Sequence, residues 1–275
     1  MQTVEYVISR IRETLCACSC IEALVLGGSR ATGGADKFSD IDIGIYYNKE
    51  KLDYTALNVM AARLDDEGRT NLICREGEWG PWVNCGGWLT VNGYPVDIIM
   101  RDMDRVAKVV ERADRGEYSV HYQTGHPHAY VDVTYRGELA CCNVMFSRGK
   151  KFMELKKHAE VYPAALKASL LQFFGFEAGF SCMMAEKSLP QGDGYYVTGH
   201  VFRAISALNQ ALFALNETWL LNEKKAIFRI DGFPLAPLHY AERVNTLFSE
   251  RPEARGIRML KGLCEEGRAL WEACG

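Results

Sequence analysis

Three aspartates and a glycine-rich turn are the residues of this sequence whose types and spacing could do chemistry. The apolar run Ile21 to Leu26 ends in Gly27-Gly28-Ser29-Arg30-Ala31-Thr32-Gly33. Asp40 and Asp42 follow within Ser39-Asp40-Ile41-Asp42-Ile43, and Asp97 stands within Pro95-Val96-Asp97-Ile98-Ile99. In a strand, side chains at i and i+2 share a face, so Asp40 and Asp42 project together while Ile41 and Ile43 turn to the core. Neighbouring carboxylates repel unless a cation lies between them. Magnesium takes oxygen ligands, usually one or two carboxylates plus substrate phosphates. Asp97, flanked by Val96 and Ile98 on another strand, completes a metal set of Asp40, Asp42 and Asp97. Two ions so held activate an attacking hydroxyl and neutralise a leaving pyrophosphate in an in-line displacement. The glycines let backbone N–H groups approach phosphates closely, and the Ser29 hydroxyl adds a donor. Gly28, Ser29 and the adjoining Arg30 are therefore the expected nucleotide contacts.

The elements that must position these residues are legible in the pattern. Ile21 to Leu26 reads as a buried strand feeding a turn, and Asp40 to Tyr47 as a second, isoleucine-rich strand. Lys51 to Asp66 has helical spacing. Trp88 to Val91 and Tyr94 to Met100 flank Asn92-Gly93, a pair that readily adopts the positive φ values of a two-residue hairpin turn. Asp102 to Glu111 reads as a helix. From about Lys150 the texture turns helical over 151–187, 196–222 and 238–273, with breaks at Pro190-Gln-Gly-Asp-Gly194 and Asp231-Gly-Phe-Pro234. The expected fold is α+β: a mixed β-sheet flanked by helices over residues 1–148, then an all-helical domain over 149–275, with the cleft between them as the default site.

Composition narrows the function classes. The chain has 275 residues, 48% hydrophobic and 24% charged, as in soluble globular proteins. No window reaches the ~18 consecutive apolar residues of a membrane span. Met1 to Glu13 reads as an amphipathic helix interrupted by Glu5, Arg10, Arg12 and Glu13 rather than as a signal peptide, so a cytoplasmic location is expected. The ten cysteines are then expected as reduced thiols. Cys16, Cys18 and Cys20 would be spread around a helix and make no zinc site. A net charge of −3 argues against a surface built for a long polyanion, so nucleic acid is not the expected partner. Residues 1–149 hold 16 basic and 21 acidic residues, against 16 and 14 in the remainder. The acidic excess suits a metal site, and the basic one a triphosphate.

The run Gly27-Gly28-Ser29-Arg30-Ala31-Thr32-Gly33 followed by Ser39-Asp40-Ile41-Asp42 resembles the signature of the polymerase-β-like nucleotidyltransferase superfamily. The likeness covers roughly residues 21–102 and is nearest to the bacterial minimal nucleotidyltransferases and the aminoglycoside or lincosamide adenylyltransferases. It implies a mixed sheet flanked by helices, a helical C-terminal domain, Mg²⁺ and an NTP donor, ATP being the first choice. Ser29 matches the phosphate-binding serine, and Asp40, Asp42 and Asp97 match the metal carboxylates. Some relatives build their site across a dimer, and the sequence leaves an oligomer open. The reading that follows is transfer of a nucleoside monophosphate to a small-molecule acceptor. Its competitors are transfer to a protein or tRNA, and a catalytically dead nucleotide-binding regulator. The ribonuclease spacing Arg-x₄₋₆-His that accompanies some macromolecular systems occurs only as Arg115 to His121, outside the helical half.

An acceptor hydroxyl is helped by a base, often a carboxylate near the metals. Glu76 and Glu78, in a tryptophan-rich loop with Trp79, Trp82 and Trp88, and Glu138, after Gly125-His126-Pro127-His128, are the candidates, with Glu138 first. His126 and His128 belong on an ordered loop. In the helical half, His200, Arg203, Ala207 and Gln210 form one helix stripe, either a solvent face or a cleft wall with Arg203 facing phosphate. Lys224 is a second candidate phosphate contact.

Overall fold

The computed structural model describes residues 3–31, 33, 39–249 and 253–274. Thr32 of the glycine-rich run lies outside them, as do Met1 and Gln2 of the expected N-terminal helix and residues 250–252 of the last helical stretch.

The chain divides into two compact units. The first comprises residues up to Glu111, Ser119–Gly125 and Ala129–Val161, and the second Arg112–Tyr118, His126–His128 and the chain from Tyr162. In chain order the first carries α1 (Val4–Leu15), β1 (Ile21–Leu26), α2 (Gly28–Ala31), β2 (Ile41–Tyr47), α3 (Tyr54–Leu64), β3 (Cys85–Val91), β4 (Tyr94–Asp102) and α4 (Met103–Asp114), whose last turn enters the second unit. Then come β5 (Val120–His121), β6 (Tyr130–Val131), α5 (Thr134–Cys141), β7 (Asn143–Ser147) and α6 (Lys150–Ala159).

Five strands form one mixed sheet in the order β3-β4-β2-β1-β7. β2 and β4 run parallel and every other neighbouring pair is antiparallel. The β3–β4 hairpin turns at Asn92 and Gly93, whose φ values of 53° and 80° are those of a type I′ turn. β7 completes the far edge beside β1, a strand that the sequence pattern did not announce.

Both faces of the sheet are covered, but not along their whole length. Ile41, Ile43, Ile45, Val96, Ile98 and Met100 pack under α1 and α3, where α1 contributes Val7, Ile11 and Leu15 at four-residue spacing. Burying each such side chain is worth ~1.5–3 kcal/mol. Thr3 and Asp53 cap the two helices by accepting from the backbone N–H groups of Tyr6 and Ala56. The opposite face carries Ala23, Val25 and Tyr46 against α4, α5 and α6. Along β2 the residues of this second face run from half-exposed Asp42 and Gly44 to buried Tyr46, and along β4 from half-exposed Asp97 and Ile99 to buried Arg101. Among the described residues of this unit, the helices therefore cover one end of this face and leave the carboxylate end open.

Two expectations change here. Cys16, Cys18 and Cys20 lie beyond α1 rather than along it, because that helix ends at Leu15; the buried sulfurs of Cys18 and Cys20 are 3.0 Å apart. The division of the chain falls after Val161 rather than after 148, since α6 packs on α5 and β7.

The second unit is built of α7 (Ala164–Ser188), α8 (Gly194–Leu215), α9 (Ala226–Ile230), α10 (Tyr240–Ser249) and α11 (Ala254–Glu272). α8 is its central helix, buried almost without interruption from Ala204 to Leu215, and packs along α7 and α11. The long helical stretches are shorter than their composition suggested. Pro163 separates α6 from α7, and α8 stops at Leu215, where the Asn216 side chain binds the carbonyls of Leu212 and Leu235 and accepts from Leu235 N–H. Among the described residues no helix is long and apolar enough to cross a membrane.

Candidate active site

The open end of the sheet gathers the carboxylates. Asp42 on β2 is the register partner of Asp97 on the parallel neighbour β4, which sets their Cα atoms about 5 Å apart on one face. Asp40 is exposed, one residue before β2, and its charge raises the pKa of Asp97 above the usual aspartate value, second to the larger effect of burial.

The glycine-rich turn meets this pair through Asp42. Gly27 N–H donates to the Asp42 carbonyl at 2.8 Å, which ties the end of β1 to the start of β2. Gly28 then turns with φ +57°, and a β-carbon on it would lie 1.8 Å from Asp42 Oδ2. Only glycine fits, because the backbone is left-handed and the carboxylate occupies the side-chain space. Ser29 follows, half-buried, in the single turn of α2.

Arg30 takes a different position from the expected nucleotide contact. Its Nε donates to the Asp40 carbonyl at 3.0 Å and its Nη2 to the Ser39 carbonyl at 2.5 Å. The guanidinium therefore clamps the backbone that delivers Asp40 and Asp42, and acts on the carboxylates through their main chain.

Oxygen donors from Asp42, Asp97 and Asp40 suit a hard divalent cation. Among the described residues no three His, Cys, Asp or Glu side chains converge as a preformed cage. Magnesium needs none, since its usual set is one or two carboxylates completed by substrate phosphates and water.

The expected bases lie elsewhere. Both oxygens of Glu138 accept from Arg101, at 2.7 Å from Nε and 2.7 Å from Nη2, and Arg101 is 3% exposed. Arg101 is four residues past Asp97 on β4, roughly 13 Å along the strand. Glu138 is thus the counter-ion of a buried arginine, not a base beside the aspartates. Glu76 accepts from Tyr47 Oη at 2.5 Å and pairs with Lys49 at 2.9 Å, at the same covered end of the sheet. Burial works against ionisation of Glu76, yet these two partners bring its pKa below the usual glutamate value. Glu78 is exposed in its loop.

The other predicted residues belong to the second unit. Arg203 pairs with Glu177 there, and Lys224 is exposed. Ala207 and Gln210 of the same stripe are buried, so the stripe is a solvent face only at its N-terminal end. Glu223 accepts from His128 N–H at 3.1 Å and lies 4.0 Å from His126 Nδ1, which gives both histidines an ordered loop. Arg115 pairs with Glu117 in that unit, whereas His121 stacks on Trp82 in the first.

The sequence pattern marked the strand beside Asp97 but assigned no role to Trp88 on it. Trp88 on β3 is the antiparallel register partner of Asp97 and is 62% exposed. Trp79 stacks on it, centroids 4.4 Å apart and planes at 26°. The available signal was Gly86-Gly87-Trp88 within a strand: a β-carbon on Gly86 would lie 2.6 Å from the Trp79 ring, so that glycine makes the space in which Trp79 lies.

Comparison with known proteins agrees with the motif. Residues 8–112 match the nucleotidyltransferase domain family, which covers the turn and all three aspartates. The first part of the chain thus matches a nucleotidyltransferase domain, in line with the polymerase-β-like signature, and the match supports a nucleotidyltransferase enzyme. No curated protein matches the sequence. Among solved structures, a nucleotidyltransferase-like protein from Exiguobacterium sibiricum is similar at 12% identity and a TM-score of 0.44, over 98% of this chain and 75% of that one. A CCA-adding enzyme in complex with CTP is similar at 12% identity and a TM-score of 0.30, over 98% of this chain and 67% of that one.

Proposed function

We propose that this protein transfers a nucleoside monophosphate from an NTP, ATP in the first instance, to a hydroxyl of a small molecule in a magnesium-dependent reaction. The observation that carries this reading is the fit of the Asp42 carboxylate against Gly28, opposite Asp97. It brings the turn suited to phosphate and the carboxylates suited to a cation together at the open end of one sheet.

In this reading Gly28 and Ser29 hold the triphosphate through backbone N–H groups and the Ser29 hydroxyl. Asp42, Asp97 and Asp40 hold the magnesium, which when bound neutralises phosphate charge and polarises the α-phosphate. Arg30 keeps the Ser39–Asp40 backbone in place so that the carboxylates meet the nucleotide at a fixed spacing. The reaction forms a bond between the acceptor oxygen and the α-phosphorus and breaks the bond to the bridging oxygen. Pyrophosphate leaves, and the proton of the acceptor hydroxyl passes to solvent water. The acidic excess of residues 1–149 favours a small acceptor over a nucleic acid, and aminoglycoside or lincosamide antibiotics are the first acceptors to try.

The test is pyrophosphate release from ATP, GTP, CTP and UTP with Mg²⁺ across a panel of those compounds. Release that needs one compound and disappears in Asp42→Ala supports the reading. Turnover that persists unchanged in both Asp42→Ala and Asp97→Ala would overturn it. A silent panel with nucleotide still bound would move the acceptor to a protein or RNA.

A further inference from the structure

Four groups lie in one row across the open end of the sheet. Gly27 bonds to the Asp42 main chain and Gly28 abuts its carboxylate; Asp42 faces Asp97 in register, and Asp97 faces Trp88 in register. Opposite residues of an antiparallel pair carry their β-carbons about 5 Å apart on the same face, so Trp88 and Asp97 are neighbours on that face.

We infer that Trp88, braced by Trp79, is the surface on which the ring of the acceptor stacks, and that the acceptor is an uncharged or cationic ring compound. The inference rests on the nucleotidyl transfer proposed above. In-line displacement requires the attacking oxygen and the leaving pyrophosphate on opposite sides of the phosphorus. The triphosphate belongs to the Gly28–Ser29 end of the row, so the acceptor arrives from the other end, where Trp88 stands.

The indole is prepared for that use. Trp79 lies over Gly86, and its carbonyl accepts from the Gln123 side chain at 2.6 Å. Gln123 also accepts from the N–H groups of Trp82 and Val83, so the support beneath Trp88 is fixed to two further points of its loop. A single exposed tryptophan is ordinary surface. One that stands beside Asp97, on a stacked and tethered partner, presents an oriented flat face. That face attracts ring faces and cations. The neighbouring carboxylates repel anions.

The test is calorimetric titration of the full chain with kanamycin and lincomycin, in the presence of Mg²⁺ and a non-hydrolysable ATP analogue. The wild type should bind at least one of the two. Trp88→Ala should weaken that binding tenfold or more, and Trp88→Phe should keep it within about threefold. Affinity for the ATP analogue and the melting temperature should be unchanged in both variants. Equal binding of the ring compound by Trp88→Ala would overturn the assignment, as would failure of the wild type to bind either compound. Loss of the ATP analogue in Trp88→Ala would also overturn it, because the indole would then stack on the donor base. Failure of the nucleotidyl-transfer reading is read separately, from pyrophosphate release in Asp42→Ala.

Discussion

The carboxylate of Asp42 lies in the space that a β-carbon on Gly28 would need, 1.8 Å from Oδ2 in an ideal geometry. A side chain at residue 28 and the Asp42 carboxylate therefore compete for the same space.

Gly28→Ala should therefore displace Asp42 as well as strain the backbone. The left-handed φ alone costs about 1 kcal/mol. We expect a small fall in melting temperature and a loss of pyrophosphate release of a hundredfold or more. A variant that melts lower but turns over normally would show that the contact only serves folding.

Asp97 is raised by burial and by Asp40, which fixes a sign for stability. A carboxylate with a raised folded pKa binds its proton more tightly in the folded state, so its ionisation destabilises the fold. Without divalent cation, Asp97→Asn should melt above the wild type at neutral pH. The difference should shrink as pH falls through the folded pKa and vanish near the ordinary aspartate value of about 4. The same variant should lose nucleotidyl transfer. Melting curves between pH 4 and 8 in the presence of a chelator measure this.

Glu138→Gln separates an ion-pair partner from a base. Removing one partner of a buried pair typically costs about 3–5 kcal/mol, because Arg101 is left charged and uncompensated. We expect a lower denaturant midpoint, with the activity of the folded fraction within severalfold of the wild type. A fall of a thousandfold at unchanged stability would restore Glu138 as the base.

Arg30→Lys should lose the forked contact to the Ser39 and Asp40 carbonyls, since a lysine ammonium cannot reproduce two donors in fixed geometry. About a tenfold loss in kcat is expected, with KM for the nucleotide changed less than threefold. A dominant rise in that KM would mean that the guanidinium contacts phosphate instead.

The sequence by itself determined the local parts of this protein. Alternation places Ile41 and Ile43 on one face and Asp42 on the other, Asn92-Gly93 demands the hairpin, and Gly27-Gly28-Ser29 marks the turn, because each depends on backbone geometry over a few residues. The same logic put Asp97 in a strand. What it could not contain was which strands become neighbours. Pairing in the order β3-β4-β2-β1 brings Asp97 opposite Asp42 and Trp88 opposite Asp97, and that register is a long-range choice made by packing the two faces of the sheet. Tertiary structure alone likewise decided which carboxylates are spent on ion pairs. Glu138 and Glu76 read as candidate bases until Arg101 and Lys49 are seen to hold them, at the covered end of the sheet. Charge type is written in the sequence, whereas the partner that takes up the charge is fixed only when distant segments meet.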